Sequence, residues 1–298
     1  MSASDRASVG DYLRSLPLYL LPHHLLSRLV LAITRIRAPV VKNPLIRWFA
    51  HRYRVQMGDA VIAEPTDYPN FNAFFTRPLR PDARPLPSAP AAVASPVDGT
   101  VSQLGEIRDG RLFQAKGHDF SLIELLGGDA GRAAPFMGGT FATLYLSPRD
   151  YHRIHMPFPG RLLETVHVPG RLFSVAPHTT RTIPNLFARN ERVAAIFETP
   201  AGPMAVVLVG AIFVACIETV WSGVVTPPRG RRVVVHDHRI QDDGATQLAR
   251  GEELGRFNMG STVILLFGPG QARWESSLQA GSALNMGQPI ARLEMEPS

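Results

Sequence analysis

The stretch Met-Gly-Ser-Thr-Val-Ile-Leu-Leu-Phe, residues 259–267, decides how the chain is interpreted. Its apolar residues 263–267 form a short continuous run, which is typical of a buried strand. Gly260 has no side chain to shield its carbonyl, and the Ser261 hydroxyl follows directly in the sequence. A tight turn ahead of the strand would let that hydroxyl attack the Gly260 carbonyl and cut the chain. On these residues alone, an ordinary turn before a strand is the commoner explanation.

Two other segments change the balance between these explanations. Asp98 begins an Asp-Gly turn signal between short apolar runs, and His152 and His155 lie between two prolines in segment 147–157. The prolines predict a rigid surface loop or a short turn. An aspartate, a histidine and Ser261 are the parts of a nucleophilic triad. Other roles stay open: Asp98 could be a plain turn residue, and the histidines could be hydrogen-bonding groups or a metal pair. A metal site is the weakest of these alternatives, because no further ligands accompany the histidines.

With these segments in view, the chain resembles the bacterial phosphatidylserine decarboxylases, the pyruvoyl-dependent enzymes that make phosphatidylethanolamine. One departure is visible at Met259, where the family usually has Leu or Gly; Met is apolar and close to Leu in size. The resemblance covers nearly the whole chain, in the segments 71–80, 115–118, 147–157, 184–192, 210–211, 217–221 and 251–257.

The resemblance implies a role for each residue of the candidate site. The self-cleavage triad falls on Asp98, His155 and Ser261, with Ser261 attacking the carbonyl of Gly260 to form an ester. Breakdown of that ester would leave a pyruvoyl group in place of Ser261, and this group forms the Schiff base with the substrate amine. His152 matches a histidine that the family uses in the decarboxylation itself, as a proton donor.

The resemblance also implies what cleavage between 260 and 261 produces. The products would be a large β chain, residues 1–260, and a small α chain, residues 261–298, held together as a heterodimer. The sequence leaves a higher oligomer open. The uncut chain would then be a zymogen, and the mature enzyme would serve phospholipid biosynthesis.

A pyruvoyl group also suits the chemistry. Removal of CO₂ from an amino acid leaves two electrons on the α-carbon, and a conjugated carbonyl bound to the amine can accept them. Pyridoxal phosphate does the same but needs a lysine, and this chain has only Lys42 and Lys116. It also lacks a glycine-rich phosphate cradle. The sequence therefore favours a cofactor made from the chain itself, and no metal.

Two other function classes were weighed. A membrane-associated serine hydrolase could use Asp98, His155 and Ser261 in a chain order that one protease class has. Against it, Ser261 lacks the Gly-x-Ser-x-Gly elbow, because Met259 and Val263 occupy the glycine positions. A non-enzymatic β-rich membrane module would show neither chain cleavage nor CO₂ release.

Charge and apolar periodicity predict a membrane-binding region over residues 1–60. These residues hold nine Lys or Arg against three Asp or Glu and so carry the whole net charge of +6. Two basic amphipathic helices are predicted, over 22–37 and 44–56. Such helices lie in the headgroup plane of an anionic membrane, which predicts peripheral attachment to the cytoplasmic face of the cell membrane. Packing of these helices on the core is the alternative, and no nucleic-acid-binding motif is present.

Residues 61–298 are predicted to form a β-rich catalytic domain, so the expected fold class is α+β. Residues 78–96, with six prolines, indicate a connector, and 238–251 indicate a flexible loop. The single cysteine, Cys216, is interpreted as a core residue in a reducing compartment. Glu218, in an apolar run, is expected to have an ion-pair partner. Strands are predicted at 140–146, 193–197, 204–219 (as two strands), 232–235 and 262–267.

Overall fold

The computed structural model describes residues 7–212, 216–226, 232–239, 246–258 and 262–294. Helices at the amino-terminal end precede a part rich in strands, so the α+β prediction is confirmed. The helices are α1 (Val9–Ser15), α2 (His23–Thr34), α3 (Pro39–Tyr53), α4 (Phe71–Phe75), α5 (Leu122–Leu125), α6 (Ala130–Ala133), α7 (Pro177–Thr180) and α8 (Leu186–Arg189), with 3-10 turns at Leu16–Tyr19, Pro65–Asp67 and Ala134–Phe136.

Helices α1 and α2 turn their polar side chains towards the protein. In α1, Asp11 and Ser15 are buried, and the Arg181 guanidinium donates two hydrogen bonds to the Asp11 carboxylate. In α2 the buried side chains are His23, Ser27 and Thr34. An amphipathic helix on a protein surface normally buries its apolar stripe, so this orientation is inverted.

Helix α3 begins at Pro39, five residues before the predicted start at Pro44. Proline is tolerated in the first turn because its missing N–H would have no partner there, and Pro44 is accommodated inside the helix. Helix α3 ends where Arg54 adopts a left-handed conformation, with φ of 54°. Its buried residues belong to a small separate core made of Ile46, Phe49, Tyr68, Phe71, Phe74 and Phe75.

A nine-stranded antiparallel sheet dominates the rest of the chain. Its order is β12-β7-β8-β9-β15-β5-β2-β17, with β13 also paired to β7. Every residue of β15 is paired to both neighbours and is almost completely buried, as its apolar sequence predicts. The strands of this sheet are β2 (Gly99–Glu106), β5 (Thr140–Tyr145), β7 (Gly160–Val168), β8 (Arg192–Thr199), β9 (Gly202–Val209), β12 (Val234–Asp237), β13 (Gln247–Leu248), β15 (Thr262–Phe267) and β17 (Ala283–Leu284).

Three smaller sheets complete the described part of the fold. One has the order β1-β18-β16, a second has the order β11-β10-β14-β6, and β3 pairs with β4. Their strands are β1 (Ala92–Ala94), β3 (Arg111–Ala115), β4 (His118–Ser121), β6 (Arg153–His155), β10 (Ile217–Thr219), β11 (Gly223–Val224), β14 (Glu253–Phe257), β16 (Ala272–Trp274) and β18 (Pro289–Leu293).

Several predictions about single segments can be compared with these elements. The apolar run 204–219 does contain two strands, β9 and β10, and they belong to different sheets. Cys216 is fully buried, as predicted. The flexible loop predicted over 238–251 is wrong for β13, which pairs with β7, while residues 240–245 lie outside the described part.

Candidate active site

The predicted scissile bond, Gly260–Ser261, is flanked in the sequence by two segments that hydrogen bonds hold in place. Gly260 and Ser261 are outside the described residues. On the far side, Thr262 opens β15 and is paired with both Tyr145 and Val209. Thr262, the residue that follows Ser261 in the sequence, therefore begins a central strand of the large sheet.

On the near side of this bond, Asn258 is held by a polar network. Its backbone N–H donates to the Cys216 carbonyl at 2.9 Å. Its side-chain Nδ2 donates to Glu218 Oε1 at 2.8 Å, and its Oδ1 accepts from Asn72 Nδ2 at 2.9 Å. Arg256 Nε donates to the other oxygen of Glu218 at 2.7 Å, so the ion pair predicted for Glu218 is confirmed. Cleavage chemistry at 260–261 would thus occur between two anchored points.

An apolar cavity of about 170 Å³ opens at this end of the sheet. It includes the residues that follow β5 and β9, the two neighbours of Thr262, together with aromatic side chains of α3. A cavity at the end of a strand, lined by apolar groups and a few polar ones, is a usual form of ligand site. Its lining residues are Phe49, Tyr53, Phe75, Tyr145, Leu146, Pro148, Ser174, Val175, Ala176, Ala211 and Ile212.

His152 is completely buried beside this cavity, although segment 147–157 was predicted to be a surface loop. Its ring stacks on Phe75, with centroids 4.0 Å apart and planes at 15°. Neither ring nitrogen makes a hydrogen bond with any described residue. Burial and the positive charge of Arg77 lower the pKa of His152 to about 3. The carbonyls of Pro148 and Ser147 face the ring and oppose this shift, but without hydrogen-bond geometry.

His155 has both ring nitrogens engaged. Nδ1 lies 2.8 Å from the Gly251 carbonyl oxygen, and Nε2 lies 2.8 Å from the Tyr151 hydroxyl. A carbonyl oxygen can only accept, so in the neutral ring Nδ1 carries the hydrogen and Nε2 accepts from Tyr151. Burial lowers the pKa of His155, with the Gly251 carbonyl opposing it. The ring is therefore neutral near pH 7 and available as a base through Nε2.

Asp98 is also fully engaged, but by other groups. Arg84 Nε donates to Oδ1 at 2.9 Å and Arg84 Nη2 donates to Oδ2 at 2.6 Å. The backbone N–H of Met286 donates to Oδ1 at 2.7 Å. No hydrogen bond joins Asp98 to His155 among the described atoms, although the Asp98 charge acts to raise the pKa of His155. The backbone N–H of His155 donates to Pro96, two residues before Asp98.

Of the predicted site residues, the structure describes Asp98, His152 and His155, and Asp98 and His155 have partners that the sequence did not predict. Arg84, Tyr151 and Gly251 were not predicted to take part. Tyr151 lies inside the quoted two-histidine segment, so the segment was identified although the residue was not singled out. Arg84 lies in the proline-rich connector, where nothing in the local sequence distinguishes it from its neighbours.

Four polar residues in the segment 185–192 could by their chemistry either contact an anionic ligand or brace the structure. Asn190 is fully buried, and its side chain bonds the backbone of Phe173 and Gly210. Arg192 donates only to backbone carbonyls, including that of Leu125 at 2.7 Å, and burial lowers its pKa to about 10. These two residues brace the structure. Asn185 bonds Glu124, and Arg189 lies over the rings of Tyr19 and Phe173.

Two imidazoles, one of them completely buried, together with a hydrogen-bonded carboxylate and cavities beside them, are features of an enzyme active site. Comparisons with known proteins specify the class. The family model described as Phosphatidylserine decarboxylase matches residues 71–292, and a second model, described as PSD, matches residues 13–54.

Similar curated proteins cover nearly the whole chain. A protein from Ectopseudomonas mendocina (strain ymp) is 57% identical over 277 residues, which is 93% of this chain and 96% of the relative. Proteins from Pseudomonas fluorescens (strain Pf0-1) and Pseudomonas putida (strain GB-1) are 58% and 59% identical, over 92% of this chain and 96% and 95% of theirs. All three carry the name phosphatidylserine decarboxylase proenzyme.

This chain belongs to the phosphatidylserine decarboxylase family. The predicted family and enzyme class are therefore confirmed, and the serine-hydrolase alternative finds no support in these matches.

Proposed function

We propose that this chain cuts itself between Gly260 and Ser261, converts Ser261 to a pyruvoyl group, and with it decarboxylates phosphatidylserine to phosphatidylethanolamine and CO₂. The observation that carries the proposal is the cavity at the Thr262 end of β15. Thr262, the residue that follows Ser261 in the sequence, begins this strand between β5 and β9, and the cavity opens where those two strands meet it. The family match and the proenzyme names of the relatives point to the same reaction.

Within the described ranges, several buried polar atoms in this part of the structure lack partners. Thr262 Oγ1, Ser147 Oγ and both ring nitrogens of His152 are buried without hydrogen-bond partners among the described residues. Leaving such atoms unpaired is costly, and in the proposal a polar substrate bound in the cavity pairs with some of them. Once formed, the pyruvoyl group supplies the electron sink for the bond between the substrate α-carbon and its carboxylate.

His152 is suited to donating a hydrogen bond at this site. Its low pKa keeps the ring neutral near pH 7, so one nitrogen carries a hydrogen and the other a lone pair. Stacking on Phe75 fixes the plane of the ring. In the proposal, His152 donates its N–H towards the substrate, while the surrounding apolar side chains exclude water from the reacting carbon.

For self-cleavage, His155 is the proposed base and Ser261 the nucleophile. The neutral ring of His155 can take the Ser261 proton at Nε2 once the Tyr151 hydroxyl no longer donates its hydrogen bond to that nitrogen. The Ser261 oxygen then bonds to the Gly260 carbonyl carbon, the Gly260–Ser261 amide bond breaks, and the Ser261 nitrogen takes the proton from His155, which leaves an ester and a free amine. Loss of the Ser261 α-proton then expels the Gly260 carboxylate, and water hydrolyses the resulting dehydroalanine to the pyruvoyl group with release of ammonia. The chain would persist as residues 1–260 and 261–298 in one heterodimer.

The inverted helices support binding to an anionic membrane surface. Twelve of the twenty large apolar side chains that are exposed among the described residues lie between 9 and 48. In α2, Leu25, Leu29 and Ile33 face outward while the polar face is buried. Burial of such side chains in the headgroup region, with basic residues nearby, favours peripheral attachment. In the proposal this is the cytoplasmic face of the cell membrane.

A separate finding concerns membrane-spanning length. Within the part of the chain that the structure describes, no single helix is long and apolar enough to cross a bilayer. The segments Val9–Tyr19 and His23–Thr34 meet the criteria only as a pair, and they are bent by 84°.

The test of the proposed function compares two serines that each follow a glycine. Ser261→Ala should leave one uncut chain without decarboxylase activity, because the nucleophile and the source of the pyruvoyl group are both removed. Ser282→Ala, at the Gly281-Ser282 pair, should be cut and active like the wild type. Intact mass and release of CO₂ from phosphatidylserine vesicles give the two readouts. A Ser261→Ala chain that is still cut, or a whole wild-type chain that releases CO₂, contradicts the proposal.

A further inference from the structure

The connector between the amino-terminal region and the large sheet contacts the self-cleavage residues. Arg84, in this connector, donates both to Asp98 and, through Nη1, to Asp59 Oδ2 at 2.7 Å. Its side chain is 14% exposed. Opposing carboxylates raise the pKa of Arg84 further above its ordinary value, so it is charged at any working pH. A cavity of about 450 Å³ opens beside Arg84 and His155.

Asp98 joins three parts of the chain through this contact. Its Oδ1 accepts from Met286 N–H, which lies in the segment that would become the small chain. Bidentate pairing with a guanidinium fixes the position and the direction of a carboxylate. We call the set Arg84, Asp98 and the Met286 N–H the Arg84 clamp. It holds the turn that leads into β2.

The turn that contains Asp98 also holds the backbone of His155. The Pro96 carbonyl, two residues before Asp98, accepts from the backbone N–H of His155 at 2.9 Å. The ring itself is oriented by the Gly251 carbonyl and the Tyr151 hydroxyl. Neighbouring Arg250 ties Gly251 to the same connector, because its guanidinium donates to the carbonyls of Pro87, Ala89 and Ala92.

We propose that Asp98 acts in self-cleavage through the Arg84 clamp, with Arg84 as a positioning residue, and not as the carboxylate that orients the His155 ring. This inference rests on the proposed self-cleavage at 260–261. Within the described ranges, the hydrogen bonds to the Asp98 carboxylate come from Arg84 and Met286, and both ring nitrogens of His155 face other groups. Asp98 therefore sets the place of the His155 backbone, while Gly251 and Tyr151 set its ring.

The experiment follows the first-order cutting of full-length chain made by cell-free translation, using gels and intact mass. Arg84→Met keeps much of the side-chain volume but cannot pair, and Asp98→Asn keeps an acceptor for Met286 but loses the ion pair. Each should slow cutting about tenfold or more. The double variant should be no slower than the slower single, because both changes break one contact. Arg84→Lys should recover part of the rate.

Arg132→Met is the matched control. Arg132 also makes a two-bond ion pair, with Glu164, and the two side chains are 9% and 12% exposed. It lies away from the cleavage residues, so its variant should be cut at the wild-type rate. Slowing of this control to the level of Arg84→Met would trace the effect to general loss of stability and overturn the inference.

The remaining outcomes separate the clamp from the proposed function. If Asp98 oriented the His155 ring directly, loss of its contact with Arg84 would not slow self-cleavage. Arg84→Met would then be cut at the wild-type rate, and that result would overturn the role of the Arg84 clamp but not the proposed function. Additive slowing in the double variant, about a hundredfold, also overturns it. If the wild-type chain stays uncut, the proposed self-cleavage is contradicted, and the proposed role of the Arg84 clamp is contradicted with it.

Discussion

The ring of His152 combines complete burial with two unpaired nitrogens, and this has a consequence for acid stability. Its pKa is lowered from 6.5 to about 3 in the folded chain. Below pH 6.5 the unfolded chain binds a proton at this position and the folded chain does not. Stability is therefore full above about pH 6.5 and falls as the pH drops from there towards 3.

The prediction is a loss of about 2 kcal/mol between pH 7 and pH 5 that depends on His152. His152→Phe keeps a ring against Phe75 but cannot titrate, so its free energy of unfolding should fall by that much less over the same interval. Urea unfolding at both pH values, in the Ser261→Ala background, measures the difference. His236→Phe, at an exposed position of β12, should behave like the parent. Equal losses for the parent and His152→Phe would contradict the assigned burial effect.

Single residues also show which parts of the site were predictable from the sequence. A carboxylate in an apolar run needs a partner, so an ion pair for Glu218 could be predicted, and Arg256 supplies it. The groups that engage Asp98 and His155 could not be predicted in this way. Met286 and Gly251 are far from Asp98 and His155 in the sequence, and only the fold makes them neighbours. Arg84 and Tyr151 are nearer in the sequence, but nothing in the local pattern marks them as the partners.

At the scale of elements, strand β14 leads into the segment that contains the scissile bond. Asn258, directly after β14, is fixed by side-chain hydrogen bonds to Glu218 and Asn72. Only residues 259–261 lie between it and Thr262, which is locked into β15. Loss of the Asn258 anchor would let this short segment sample positions in which Ser261 cannot reach the Gly260 carbonyl.

We therefore expect Asn258→Ala to slow self-cleavage about tenfold, since two side-chain hydrogen bonds of about 1 kcal/mol each are lost. Gln271→Ala is the control, because Gln271 is a buried amide that bonds Gly268 beyond the opposite end of β15. It should lower stability without slowing the cut. Time courses of cutting, with melting temperatures for both variants, give the comparison. A wild-type rate for Asn258→Ala would show that the anchor is unnecessary.

Helix α2 shows what periodicity can and cannot predict. The apolar repeat in 22–37 correctly predicted a helix, found at His23–Thr34. The repeat fits a stripe facing a core as well as one facing a membrane, and the sequence left both open. The structure shows which face of α2 meets the protein. His23 is buried, and its Nδ1 accepts from the Leu172 N–H at 3.3 Å, so the apolar stripe faces outward.

If that stripe meets the membrane, Leu29→Gln should weaken binding to phosphatidylserine vesicles. Removal of one partly buried leucine from the headgroup region costs about 1 kcal/mol, or about a fivefold change in affinity. Val235→Gln, on the exposed strand β12, makes a similar change away from the helices and should bind normally. Vesicle sedimentation at several lipid concentrations measures both. Equal binding by Leu29→Gln and the wild type would remove α2 from the proposed membrane surface.

Across the whole molecule, the order of helical and β-rich parts was predictable, and the pairing of strands was not. Continuous apolar runs indicated β9 and β15 because both are buried on two faces. Strands β2 and β7 have mixed burial and were missed. Strand β15 pairs with β9 and β5, which precede it by more than fifty residues, and periodicity carries no information about such partners.

This pairing makes a prediction about the cut protein. The segment 262–294 supplies β15 to the centre of the large sheet, β17 to its edge, and β16 and β18 to a second sheet with β1. Its release would break both ladders of β15 and expose six almost fully buried residues. The two chains should therefore co-elute in native size-exclusion chromatography, even after long dilution, and separate only in denaturant. A free fragment of residues 261–298 in native buffer would show that the sheet does not hold the products together.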